Sequence, residues 1–313
     1  MYSTIQNTSY NISCHMRHEM FKRGLFMDNI IGLVLKNIRE QRGLSLVDMA
    51  GDIISPSYLS KVEHGTNQIT FHNLLALLNK NNISLVEFMY QYDKHVDTYE
   101  VTMSHSLKTA HDSQNIKQLQ LYKHQLLEKW NSTSNNNFYN QYLIAKTLLA
   151  DFHEDNLTTD DIDYIHNYLF KIEHWSYYEY YFFSNTLSQL PPNVVLTLAK
   201  DLILKSNIDV AEKTKGLIST ILLNIAITGI YQLDFELVHL VLEPAKQYTF
   251  NSNNYQHRVI LMYIEALNEI HAGFVDTGSK KALKSVEMMR FIGEEPIANA
   301  YEAYYKIFLE KIL

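Results

Sequence analysis

From Ile30 onward, apolar residues return every three or four positions, the period of an α-helix with one buried face. The rhythm begins at Met27 in "MDNIIGLVLKNIREQRG", and up to Tyr92 it predicts short helices at 30–42, 46–53, 56–63, 70–80 and 84–92. Chemical signals mark their ends. Gly43 and Gly65 close the first and third helices, and Ser45, Ser55, Thr70 and Ser84 stand where a hydroxyl can accept a first-turn N–H. Pro56 occupies the first position of the third helix, where its missing N–H costs nothing. Beyond residue 95 the periodic stretches lengthen, with breaks expected at 131–136, 153–158, 173–175, 190–193, 206–209, 228–233, 249–254, 272–278 and 292–296. Thr158 and Asp161 in "LTTDDI" form a capping-box start. Two helices fit every ~35 to 45 residues, the spacing of a helical-repeat solenoid. No alternating strand pair with a hairpin turn is legible. The expected fold is all-α: a five-helix N-terminal domain at 30–94, then a tetratricopeptide-like solenoid at 95–313. Residues 1–29 read as a polar extension, expected to be disordered, with Met27 as an alternative start.

Composition narrows the function classes. With 46% apolar residues, the 313-residue chain can bury a substantial core. The sequence shows no signal-type apolar block at its start and no run of 18 apolar residues, so a cytoplasmic, membrane-free protein is expected. The single cysteine, Cys14, has no internal partner and reads as a reduced thiol, with an intermolecular bridge as the alternative. The 14 histidines come without an H-E-x-x-H or paired-cysteine spacing. "DFHEDNLTTDDID" lacks the glycine of a calcium loop. No phosphate-cradling glycine loop or G-x-S-x-G elbow occurs. No metal, cofactor or enzymatic activity is therefore expected. The net charge of −7 argues against broad coating of nucleic acid, but it leaves room for a small binding face.

Such a face is laid out in "SPSYLSKVEHG". Helices 46–53 and 56–63 have the lengths and caps of a helix-turn-helix, in which the second helix enters the major groove N-terminus first. Ser57, Tyr58 and Lys61 would point outward, with Leu59 and Val62 facing the core. Ser57 and Lys61 suit base edges or phosphates, and Pro56 a thymine methyl. Lys36, Arg42, Ser45, Ser55, Thr70 and His72 are further candidates for contacts to double-stranded DNA. This stretch resembles helix-turn-helix domains of the phage-repressor type, in which matching positions form an ion pair between the first helix and the end of the reader. The resemblance implies that Arg39 serves the scaffold through Glu63 first and a phosphate second. A five-helix protein-interaction module is the alternative for this region.

Two stretches together resemble the Rgg family of transcriptional regulators of low-GC Gram-positive bacteria. One is "LSLVDMAGDIISPSYLSKVEHG", Leu44 to Gly65, with its A-G-D, S-x-S-x-L-S and E-x-G. The other is "WSYYEYYFFSN", Trp175 to Asn185, where Ser176 stands at a position the family fills with glycine. Lys61, Val62 and His64 likewise depart from a more arginine-rich family pattern. The resemblance implies a homodimer whose solenoid binds a short hydrophobic signalling peptide and thereby alters how the paired N-terminal domains act at a promoter.

For that peptide the candidates are Tyr178, Tyr181, Asn185, Asn224 and Arg258. An asparagine can serve an extended backbone as both donor and acceptor, so Asn185 and Asn224 read either as groove clamps or as hydrogen-bonded core residues. Tyr177, Tyr178, Tyr180 and Tyr181 cannot all face one way. Trp175 and some of them belong in the core, and the rest could floor a pocket. Arg258 could meet a carboxylate or remain a solvated cation. The competing function is a helical-repeat sequestration factor that does not bind DNA.

Overall fold

A computed structural model describes residues 30–95, 99–206, 210–251 and 254–312. Cys14, Met27 and the rest of the extension at 1–29 lie outside the described residues. Among the described residues the chain is helical, without strands. It divides into two compact units between His105 and Ser106.

The first unit contains α1 (30–41), α2 (Leu46–Ala50), α3 (Pro56–Glu63), α4 (Phe71–Lys80) and α5 (Leu85–Asp93). The expected caps form: Ser45, Ser55, Thr70 and Ser84 accept the backbone N–H groups of Asp48, Tyr58, Asn73 and Glu87. Each such bond is worth about 1 kcal/mol. Inside, Val34 and Leu35 of α1, Met49 of α2, Leu59 and Val62 of α3, Leu77 of α4 and Phe88 of α5 share one core. Gly32 lets α1 touch α3 through the backbone, since a Cβ there would lie 1.9 Å from the Val62 carbonyl oxygen.

The second helix stops at Ala50, short of the expected residue 53. Gly51 turns the chain at φ 54°, and Lys80 of α4 lies over it, its Nζ donating to the Asp48 carbonyl at 2.6 Å. A lysine from another helix thus supplies what the next turn of α2 would have done.

The second unit takes in the end of α6 (Tyr99–Asp112), then α7 (Ile116–Thr133), α8 (Asn136–Ala150), α9 (Thr159–Lys171), α10 (Tyr177–Thr186), α11 (Pro192–Lys205), α12 (Glu212–Gln232), α13 (Phe235–Asn251), α14 (Tyr255–His271), α15 (Val275–Phe291) and α16 (Glu295–Ile312). One layer is formed by α8, α10, α12 and α14, each packed on the next; α9, α11 and α13 pack in the same succession as a second layer. This is the expected solenoid plan.

Two further boundaries differ from the sequence reading. The break between α6 and α7 at 113–115 has no glycine or proline to announce it; Gln114 adopts φ 54° and Asn115 caps α7. Conversely, α12 runs through the break expected at 228–233 as far as Gln232. Gly229 does not end the helix there. It permits close packing, because a Cβ would come within 2.9 Å of Val238 Cγ2 on α13. By length and composition α12 could cross a membrane, but here it packs against α10, α11, α13 and α14.

Candidate nucleic-acid interface and ligand groove

In the first unit, α3 buries Leu59 and Val62 and turns Ser57, Lys61 and His64 to solvent. These exposed positions follow one another at four and three residues, so they lie along one face. The Ser57 hydroxyl is 3.1 Å from that of Ser55, which also caps the helix. Pro56 is half-buried. Tyr58 departs from the expected outward face: it packs partly against the core and donates its hydroxyl to the Gln68 carbonyl at 2.5 Å. It fastens the α3–α4 turn. His64, which the sequence reading left out of the contact set, joins the exposed face in its place; its spacing from Ser57 and Lys61 was the available signal.

Arg39 holds Glu63 through two hydrogen bonds, Nε to Oε1 at 2.7 Å and Nη2 to Oε2 at 2.8 Å, and donates Nη1 to the Leu44 carbonyl. Glu63 is almost wholly buried, so the pair ties α1 to the end of α3, as the sequence suggested. The Glu63 hydrogen bond is the main cause that holds the Arg39 pKa above its ordinary value. Lys36 lies one turn from Arg39, on the side of α1 nearest α3, and is part-exposed. Arg42 is partly committed within the unit, donating to the Asn81 carbonyl at 2.6 Å and pairing with Glu87 at 3.5 Å. Thr70 and His72 are exposed at the start of α4, but the Thr70 hydroxyl is engaged as the cap. Ser45 is engaged in the same way at α2, where it and Asp48 form a capping box.

In the second unit, α12 is buried on nearly every side. One stripe stays open: Lys213, Leu217, Thr220, Asn224, Ile227 and Tyr231. Asn224 is exposed at the middle of an otherwise apolar stretch, so it is not a core asparagine. At one end the Lys213 ammonium sits 4.3 Å from the Tyr177 ring centroid of α10. At the other end Tyr231 packs against Tyr304 of α16. Tyr181 stacks on Tyr177 and is half-exposed. Asn185, also half-exposed, donates its amide back to the Tyr181 carbonyl at 2.7 Å.

The other candidates lie elsewhere. The Tyr178 hydroxyl donates to Asn137 Oδ1 at 2.7 Å and accepts from Asn140 Nδ2 at 3.1 Å, which binds α10 to α8. Burial raises its pKa. Arg258 sits over the rings of Phe250 and Tyr255, with centroid distances of 5.5 and 5.3 Å. Its neighbour His257 faces α12, so Arg258 points about 100° away, toward the end of α13, and is not gathered with Asn224. Trp175 and Tyr180 are core residues, and Trp175 donates Nε1 to the Leu169 carbonyl. Ser176 builds a capping box with Glu179 and so starts α10.

Behind the open stripe, His257 links three helices. Its Nδ1 is 3.0 Å from the Ser219 hydroxyl and its Nε2 is 3.3 Å from that of Thr220; Ser219 in turn meets Thr249 of α13 at 2.8 Å. Desolvation lowers the His257 pKa. A base with a depressed folded pKa contributes stability that is fully present at high pH. That contribution is lost as pH falls below the unfolded imidazole value of about 6.5. The thermal midpoint should therefore fall on acidification through this range, and part of the fall should vanish in His257→Gln. An unchanged pH profile in the variant would remove His257 as the cause.

Residues 119–303 match the family described as HTH-type transcriptional regulator Rgg, C-terminal domain, and residues 35–88 match a helix-turn-helix family. Among solved structures, one described as a transcriptional regulator from Listeria monocytogenes EGD-e is similar with a TM-score of 0.78 and 22% identity, covering 91% of this chain and 98% of that one. The SHP pheromone receptor Rgg2 of Streptococcus dysgalactiae gives 0.75 and 21%, covering 88% and 98%. A PrgX/cCF10 complex gives 0.73 and 16%, covering 90% and 93%. At these identities the structural likeness establishes the shared fold.

Proposed function

This chain belongs to the Rgg family of HTH-type transcriptional regulators, and on that premise we propose that it is a peptide-responsive regulator acting as a cytoplasmic homodimer. Residues 30–94 bind promoter DNA. Residues 95–313 bind a short hydrophobic peptide and hold the dimer together. No catalytic step, cofactor or membrane contact belongs to this reading. Dimerisation presents two weakly basic reader helices at once, which raises affinity without adding contacts to either.

The observation that carries the peptide assignment is the stripe on α12. A helix buried on its other sides keeps one face open, lined by Leu217, Ile227 and Tyr231, with the amide of Asn224 at its centre. Apolar side chains of a ligand can cover the former, and Asn224 can satisfy a backbone N–H and C=O that would otherwise be stranded. The pheromone receptor among the solved structures supports the same assignment.

Anisotropy titrations of the full chain against the duplex upstream of its own gene test both halves. Lys61→Ala should weaken binding and reduce the salt slope by about 0.9 for the phosphate that its ammonium neutralises. Synthetic peptides from short apolar reading frames beside the gene should shift that binding, and Asn224→Ala should lower peptide affinity about tenfold. Promoter binding indifferent to Lys61→Ala removes the reader assignment. If none of these peptides changes DNA binding, the sensing assignment fails.

A further inference from the structure

The open face of α3 carries one group whose charge can change under ordinary conditions. His64 is the C-cap residue of the helix and is exposed, on the same face as Ser57 and Lys61. Its ring is not free to choose a tautomer. Nδ1 lies 2.6 Å from the Ser60 carbonyl oxygen, and a carbonyl only accepts, so Nδ1 carries the hydrogen. The neutral ring then offers a bare lone pair at Nε2, which repels a phosphate. The protonated ring offers an N–H with a positive charge, which binds one through a charge-assisted hydrogen bond.

The surrounding charges leave that proton unclaimed by the protein. On its own helix stand Lys61 and Glu63, and both Glu63 oxygens are held by Arg39 of α1. Lys36 is the other cation on this side of α1, and His72 is the titratable side chain in the first turn of α4. Among the described residues, no carboxylate forms an ion pair with His64.

We propose that His64 is a proton-dependent phosphate contact of the reader helix, so that this regulator grips DNA more tightly as pH falls. The inference rests on the DNA-binding function proposed above and adds a residue and a condition to it. Imidazole ordinarily changes charge between about pH 5 and 8. One additional phosphate contact, at a slope of about 0.9, is worth roughly eightfold in affinity at about 0.1 M salt relative to 1 M.

The test is an anisotropy titration of the full-length protein with a fluorescein-labelled duplex of mixed sequence, at the two ends of that pH range. The wild type should bind roughly eightfold tighter at the acidic end, per reader helix engaged. His64→Gln should lose this gain, and His64→Arg should keep the tight affinity at both ends. His72→Gln should retain the pH ratio, whatever its effect on affinity. Melting curves recorded alongside show that the exposed substitutions leave the protein folded. A pH ratio in His64→Gln equal to that of the wild type overturns the proposal. If the wild type fails to bind the duplex at either pH, even at low salt, the failure lies with the DNA-binding function itself.

Discussion

Replacing Arg39 by alanine should destabilise the first unit by about 3–5 kcal/mol, because it leaves a buried carboxylate without its cation. Glu63 has a side-chain exposure of 2%, and Arg39 supplies hydrogen bonds to both of its oxygens. The same substitution also removes the hydrogen bond that Arg39 gives to the Leu44 carbonyl. For a unit of this size such a loss lowers the melting temperature by more than about 12 °C, which calorimetry would resolve as a separate early transition. A double variant, Arg39→Met with Glu63→Met, should recover most of the stability, since well-packed apolar side chains often replace a buried pair at little cost. The double variant also separates two roles for Arg39. If it is stable and still binds DNA, Arg39 serves the scaffold; if it is stable and has lost affinity, Arg39 also meets a phosphate. A loss below ~1 kcal/mol in Arg39→Ala would place the pair among ordinary surface ion pairs.

Lys146→Met should cost the second unit a similar amount, and in a pH-dependent way. Lys146 and Asp161 are both nearly buried, 2.5 Å apart. Asp161 also accepts from the Tyr139 hydroxyl at 3.1 Å and from the backbone N–H of Thr158 at 2.9 Å, so a single carboxylate joins α8 to the start of α9. Burial by itself pushes the Asp161 pKa up, but hydrogen bonds from Lys146 and Thr158 outweigh it and hold the group below the ordinary carboxylate value. In the wild type this contribution is present above about pH 3.9 and is lost as pH falls through the lower folded value. Without the ammonium, burial is opposed only by the remaining hydrogen bonds, and the carboxyl of the variant should take up a proton more readily in the folded state than in the wild type. The deficit should thus be largest near neutrality, about 3–5 kcal/mol, and shrink as the solution is acidified toward pH 4. Urea denaturation at several pH values measures it. A deficit that is constant across pH would show that poorer packing, not the stranded charge, is responsible.

Much of this protein was legible because the responsible interactions are local. A cap joins a hydroxyl to an N–H two or three residues away, so Ser45, Ser55, Thr70, Ser84 and Thr158 announced their helices from sequence alone. The reader helix followed from such signals, and Leu59 and Val62 took their buried places by periodicity. The Arg39–Glu63 pair spans two helices and was legible only through the resemblance to helix-turn-helix domains of the phage-repressor type.

Other features needed the tertiary structure, because their causes lie far along the chain. The end of α2 depends on Lys80, and Tyr58 turned inward to reach Gln68. Tyr178 became a tie to α8 through Asn137 and Asn140. Most of all, α12 is apolar around almost its whole circumference, so its periodicity names no solvent face. Only the packing of α10, α13 and α14, with α16 at its far end, decides that the stripe through Asn224 stays open. The sequence by itself determined the helices, their caps and the start of the reader helix, since those rest on contacts a few residues apart. Which side of α12 stays open was decided by neighbours as distant as Tyr177 and Tyr304, whose positions only the assembled fold supplies.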